Sequence, residues 1–209
     1  MHTASPLFRF AFLPLLVHAA AAGAATVEVT VSDAKGARLE DAVVWIMPRA
    51  GTAPPRKRDA AIEQKDRQFI PLVSVVQVGT AVNFPNRDPI RHHVYSFSPP
   101  KPFEIKLYVG TPAAPEVFDK PGEVVLGCNI HDHMLAYVYV VESPWFGKTG
   151  PDGKVAVDGV PAGEYDVRLW HYAQAAAAAP ERVKLGAETR APVAFTLATR
   201  PMLPRAAPK

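Results

Sequence analysis

The sequence predicts an all-β protein, most simply one or two β-sandwiches, and three observations predict it. Twenty-two prolines and thirteen glycines cut the chain into short pieces. No stretch past residue 25 carries capped helical periodicity over roughly ten residues or more. Strand signals dominate instead: Thr26–Val31 (TVEVTV), Leu72–Val78 (LVSVVQV) and Ala136–Val141 (AYVYVV) are rich in β-branched and aromatic residues. Turn signals stand between them at Asp33–Gly36, Gly79-Thr80, Pro121-Gly122 and Pro151-Asp152-Gly153.

The first residues read as an export signal. Arg9 precedes an apolar run from Phe10 to Val17, and small residues from Ala19 to Ala25 follow, the layout of a cleavable secretory segment over residues 1–25. The run is too short to span a bilayer and Pro14 interrupts it. Cleavage is expected between Ala22 and Ala25, releasing a periplasmic protein with no membrane attachment. Of the 23 basic residues only Arg9 lies in this segment, which leaves 22 against 20 acidic ones. That near-neutral balance excludes a nucleic-acid binder, which would carry a basic stripe. Arg56-Lys57-Arg58, behind Pro54-Pro55, reads as a solvated loop.

Past the signal, TVEVTVSDAKGARLEDAVVWIMP (residues 26–48) shows strand, D-x-x-G turn and strand. Phe146–His171 repeats the style, with G-V-P-A-G-E-Y leading into a strand at Tyr165–Trp170. Residues 65–142 hold most of the histidines and the longer apolar strands, so a core module there is flanked by pieces of a second one, 26–50 and 143–198. Trp145, Trp170, His171 and Tyr172 are expected to fill that second core and its edges rather than form a binding face. Ala173–Ala179 has the composition for two helical turns, but ending at Pro180 it reads rather as a surface excursion between strands, and Thr199–Lys209, with three prolines, reads as a disordered tail.

The chain has one cysteine, so no internal disulfide is available to an exported protein. Its surroundings, Cys128-x-x-His131-x-x-Met134, put a thiolate, an imidazole and a thioether on one loop between strands Glu123–Leu126 and Leu135–Val141. That ligand set suits copper passing between two oxidation states. A second imidazole is needed, and FPNRDPIRHHVYSF (residues 84–97) supplies His92 and His93 where a loop becomes a strand. Adjacent strand residues face opposite ways, so one of the two turns to the metal, and spacing does not choose between them.

The order F-x-N-x-D, His-x-Val, then C-x-x-H-x-x-M and a hydrophobic strand resembles the small blue copper proteins, the cupredoxins. The short ligand loop is most similar to that of amicyanin, beside which plastocyanin and pseudoazurin have longer loops. The resemblance implies a Greek-key β-sandwich over residues 65–142 and one type 1 copper ion. It implies His92, Cys128 and His131 as the trigonal ligands and Met134 as the long axial one. Asn usually follows the first histidine in that family; here His93 does. His133 and Asp132 are expected to face solvent, a second metal site with His93 being the lesser alternative. The flanking stretches resemble the halves of a carboxypeptidase regulatory-like, transthyretin-like β-sandwich. Chains of this combined pattern are often labelled methylamine utilization proteins.

The function expected from this is single-electron transport between redox proteins that dock near His131 and His133. The alternative is copper handling, or protein or carbohydrate binding by the sandwich without electron transfer. With no nucleophile elbow, no H-E-x-x-H and no Ser-His-Asp order, the chain is expected not to be an enzyme.

Overall fold

The computed structural model describes residues 23–56, 59–112 and 114–201. Seventeen strands form among the described residues. In chain order they are β1 (Ala25–Asp33), β2 (Val43–Pro48), β3 (Asp59–Ala61), β4 (Glu63–Lys65), β5 (Gln68–Ile70) and β6 (Val73–Gln77). Then come β7 (Thr80–Asn83), β8 (His92–Ser96), β9 (Phe103–Tyr108), β10 (Glu116–Phe118), β11 (Gly122–Gly127) and β12 (Leu135–Val141). The last five are β13 (Phe146–Lys148), β14 (Lys154–Val160), β15 (Gly163–Trp170), β16 (Glu181–Leu185) and β17 (Arg190–Leu197). The all-β expectation holds, as do the strands read at 26–31, 72–78 and 136–141. Ala173–Ala179 forms a turn and irregular backbone, without helix.

Two sandwiches lie side by side. The site-bearing one pairs a five-stranded sheet, β6-β12-β11-β8-β9, with the small sheet β10-β7-β3. The two sheets face each other as a β-sandwich. Alternation along β11 and β12 turns Val124, Leu126, Ala136, Val138 and Val140 inward onto Phe69, Phe84 and Phe118. The same core takes in Ile62 and touches Ala60, so this unit reaches upstream of residue 65.

The second, smaller sandwich faces β13-β2-β15-β16 against β14-β1-β17. Its core is mainly aliphatic, with Val27, Val29, Val31, Val44, Ile46, Val167 and Leu169 all buried. Asp33 shapes the first turn: its carboxylate accepts the N–H groups of Lys35 and Ala37, each at 2.8 Å, and Gly36 takes φ 84°.

Between the sandwiches, β2 and β15 lay Val43, Trp45 and Trp170 on Val73 and Val141, with Tyr137 and Tyr139 beside them. Tyr139 stacks on Trp170 with ring centroids 4.8 Å apart, and Trp170 Nε1 donates to Glu123 at 3.1 Å. Trp170 and His171 are therefore core and interface residues, as expected of them.

Residues 1–22, which carry most of the expected signal, lie outside the described residues, as do Lys57 and Arg58 and residues 202–209. Thr199 and Arg200, expected in the tail, are anchored instead. Thr199 bridges to Gln174, and the Arg200 N–H donates to the Ala173 carbonyl at 2.8 Å. Among the described residues, no helix is long and apolar enough to cross a membrane.

Candidate metal centre

The centre sits at one end of the site-bearing sandwich, where β8 begins and β11 ends. Gly127 closes β11 opposite Tyr95, and a Cβ at that position would lie 2.7 Å from the tyrosine ring. Only glycine lets the strand run this close beneath the ring before turning into the ligand loop. The loop Cys128–Met134 is closed by the Met134 N–H donating to the His131 carbonyl at 2.9 Å. Cys128 is 3% exposed and Met134 2%, both in the same apolar core.

His92 opens β8, fully buried at 0% exposure. Its Nδ1 faces Nδ1 of His131 at 3.2 Å, and that same His131 nitrogen is 3.7 Å from Cys128 Sγ. The donor atoms of His92, Cys128 and His131 all lie within 4.8 Å of one another. Donors bound to one ion at metal–nitrogen distances of about 2.0–2.1 Å and a metal–sulfur distance of about 2.3 Å stand roughly 3.3–3.8 Å apart. The 3.7 Å contact falls within that range and the 3.2 Å contact just below it, and one thiolate with two imidazoles is a set suited to copper. The residues present fit the metal.

His93 points elsewhere. Its Nε2 is 2.9 Å from the Glu104 carboxylate on β9, and its buried Nδ1 has no hydrogen-bond partner among the described residues. The choice that strand alternation left open thus falls on His92 as the histidine brought to Cys128 and His131. His133 lies beside the trio, its ring centroid 6.1 Å from that of His131, with its side chain exposed. Neither His93, Asp132 nor His133 joins a second group of three metal-binding side chains among the described residues.

The electrostatics favour a neutral ligand. Partial burial, then the charges of His92, Arg67 and His133, push the pKa of His131 below the ordinary imidazole value, with Asp88 pulling the other way. Burial alone would raise the carboxyl of Asp88. Hydrogen bonds from the Arg67 and Asp66 backbones and from His92 outweigh it and hold that carboxyl below its usual range.

Beneath the trio lies a buried polar network. Tyr108 donates to the Phe84 carbonyl at 2.6 Å, and Gln64 Nε2 donates to that carbonyl and to the Tyr108 hydroxyl. Burial pushes Tyr108 up to about 12, opposed by the Gln64 hydrogen bond and aided by the charge of Cys128.

Two contributors were missed in the sequence. Asp88 was quoted only as the end of F-x-N-x-D, and Gln64 was not singled out. Their partners lie 4 to 44 residues away, and the one available signal was a carboxylate four positions before a histidine.

No protein-family model matches the chain, and no curated protein matches it. Solved structures do. A copper-containing nitrite reductase from Thermus scotoductus SA-01 is 28% identical over 46% of this chain and 25% of that one, with a TM-score of 0.38. A purple cupredoxin from Nitrosopumilus maritimus is 22% identical over 39% of this chain and 99% of that one, at 0.36. A reduced copper(I) form of an amicyanin variant is 17% identical over 47% of this chain and 98% of that one, at 0.37. The expectation that the chain is not an enzyme is corrected here: one of the matched structures is itself an enzyme, so the lack of a hydrolase motif does not exclude catalysis.

Proposed function

We propose that the protein is a periplasmic type 1 (blue) copper protein that carries single electrons between redox partners. The observation that carries this reading is the convergence of His92 Nδ1, His131 Nδ1 and Cys128 Sγ at one buried end of a β-sandwich. His92, Cys128 and His131, with Met134 beside them, would hold one copper ion. Bound there, copper supplies one-electron exchange between its two oxidation states.

The chain's own residues do the rest. His92 and Cys128 are locked in the core, so the ligands need little rearrangement when the charge changes. Met134 and the surrounding apolar side chains exclude water and set the potential. His131 is the half-buried ligand, flanked by exposed Ile130 and His133, and redox partners dock on that edge. Residues 65–142, with Ala60 and Ile62 packed into the same core, act as the copper module. Residues 26–50 and 143–198 act as a split carboxypeptidase regulatory-like sandwich, the pairing found in chains labelled methylamine utilization proteins.

Adding copper(II) to the purified protein is expected to give an intense thiolate-to-copper band in the visible and a reversible one-electron wave. Cys128→Ser removes the band. A colourless wild-type protein sinks the reading, and colour with no reversible wave shifts it to copper handling.

A further inference from the structure

Asp88 makes three side-chain hydrogen bonds beside the trio. One carboxylate oxygen accepts the Asp66 N–H at 2.7 Å. The other accepts the Arg67 N–H at 2.9 Å and lies 2.7 Å from Nε2 of His92. The carboxylate is 10% exposed, and the ring it faces is wholly buried. The backbone of Asp88 is fixed as well: its N–H donates to the Asn86 side-chain carbonyl at 2.9 Å, and the Asn86 amide donates to the carbonyls of Ile90 and Tyr108.

The Asp66–Arg67 turn is an independent sign that this contact matters to the fold. It joins β4 to β5 with φ of 53° and 55° on two successive residues that are neither glycine nor asparagine. Turns of that kind prefer Asn-Gly. A left-handed pair built from Asp and Arg persists where its surroundings over-determine it. Here a single carboxylate takes both N–H groups of the turn and ties them to a buried histidine.

A carboxylate only accepts hydrogen bonds, so the hydrogen on His92 must sit on Nε2. In the neutral ring that leaves Nδ1 bare, and Nδ1 is the nitrogen that lies 3.2 Å from Nδ1 of His131. We infer that Asp88 is a positioning residue: it selects the Nε2-protonated form of His92 and so presents an unprotonated Nδ1 to the centre before any metal arrives. The purpose of this arrangement rests on the copper reading; the protonation pattern does not.

The test is long-range nitrogen-15 NMR of the histidine rings in the metal-free full chain, paired with chelator competition for copper(II). Wild type is expected to show His92 protonated at Nε2. Asp88→Asn offers one oxygen in place of two. It is expected to populate the Nδ1-protonated form and to weaken copper roughly 10- to 100-fold, the usual cost of losing such a partner. Arg67→Gly keeps the backbone donor and the left-handed φ, and is expected to leave the tautomer unchanged. Two results overturn the inference: His92 protonated at Nδ1 in the wild type, a measurement that needs no variant to fold, or an Asp88→Asn protein whose His92 tautomer is unaltered. A wild type that binds no copper sinks the copper reading, while the tautomer still decides this one.

Discussion

The flanking sandwich buries few polar side chains, and those it buries bond to its own backbone. Thr149 donates to the Leu39 carbonyl at 2.7 Å and accepts the Ala42 N–H at 2.9 Å, and Ser143 donates to the Ile46 carbonyl at 2.6 Å. The site-bearing sandwich buries Gln64, Asn86, His92 and His93 within a core of similar size. Of the three buried side-chain atoms without a hydrogen-bond partner among the described residues, Gln64 Oε1 and His93 Nδ1 belong to it. An unpaired buried polar atom costs stability, so the two units divide the work: one core closes the chain up, and the other holds imidazoles and a thiol in fixed positions. The aromatic seam ties the second to the first.

The sharpest way to break this comparison is to cut the seam. Trp170→Ala removes a side chain that is 4% exposed, along with its hydrogen bond to Glu123, and is expected to cost about 3–5 kcal/mol. Calorimetry is expected to show one unfolding transition in wild type and two in the variant; a single transition in both would mean that the seam does not couple the units. Next in size is Ile46→Ala in the closing core, at about 2–5 kcal/mol by denaturant unfolding. It is expected to leave the copper band unchanged in colour and intensity, and a loss of that band would contradict the division of roles.

A smaller effect sharpens the contrast through pH. His171 is 1% exposed; its Nε2 donates to the Glu40 carbonyl at 3.0 Å and its Nδ1 accepts the Ala173 N–H at 3.1 Å. Burial lowers its pKa below the ordinary imidazole value, against the pull of the Glu40 carbonyl and the Asp41 charge. As pH falls through the unfolded value of about 6.5, the unfolded chain takes up the proton before the folded one. Folded stability is therefore lost from there downward until the folded pKa is reached, and none is lost above. His171→Gln is expected to show a smaller drop in unfolding midpoint between about pH 7.5 and pH 5 than wild type, and equal drops would refute this. The least effect belongs to Arg87→Ala. Its pair with Glu63 at 3.1 Å is 57% and 42% exposed, and the change is expected to cost under about 1 kcal/mol by thermal melting.

These particulars explain what the sequence could tell. Alternating valines marked β1 and β12 because strand periodicity is local, and Cys128, His131 and Met134 were visible together because one loop carries them. Choosing His92 over His93 from residues alone failed, since the choice depends on which face of β8 meets the far loop, a long-range fact supplied only by resemblance. The same limit hid the Asp88 contact to the Asp66–Arg67 turn, which closes 21 and 22 residues away. The alanine tract shows the opposite case: helix propensity is a weak prior, Pro180 argued for an excursion between strands, and Gln174 pairing with Thr199 and Ala175 bonding to the Ala198 carbonyl hold it as one.

The place of β1 has a consequence for synthesis. Both of its neighbours, β14 and β17, come from far down the chain, with Val27 level with Val157 on one side and Ala191 on the other. As the chain leaves the ribosome, every strand from β2 to β13 emerges before the first one has a partner strand. The valine-rich β1 thus waits longest with open edges, and it is the segment a holding chaperone has most reason to cover.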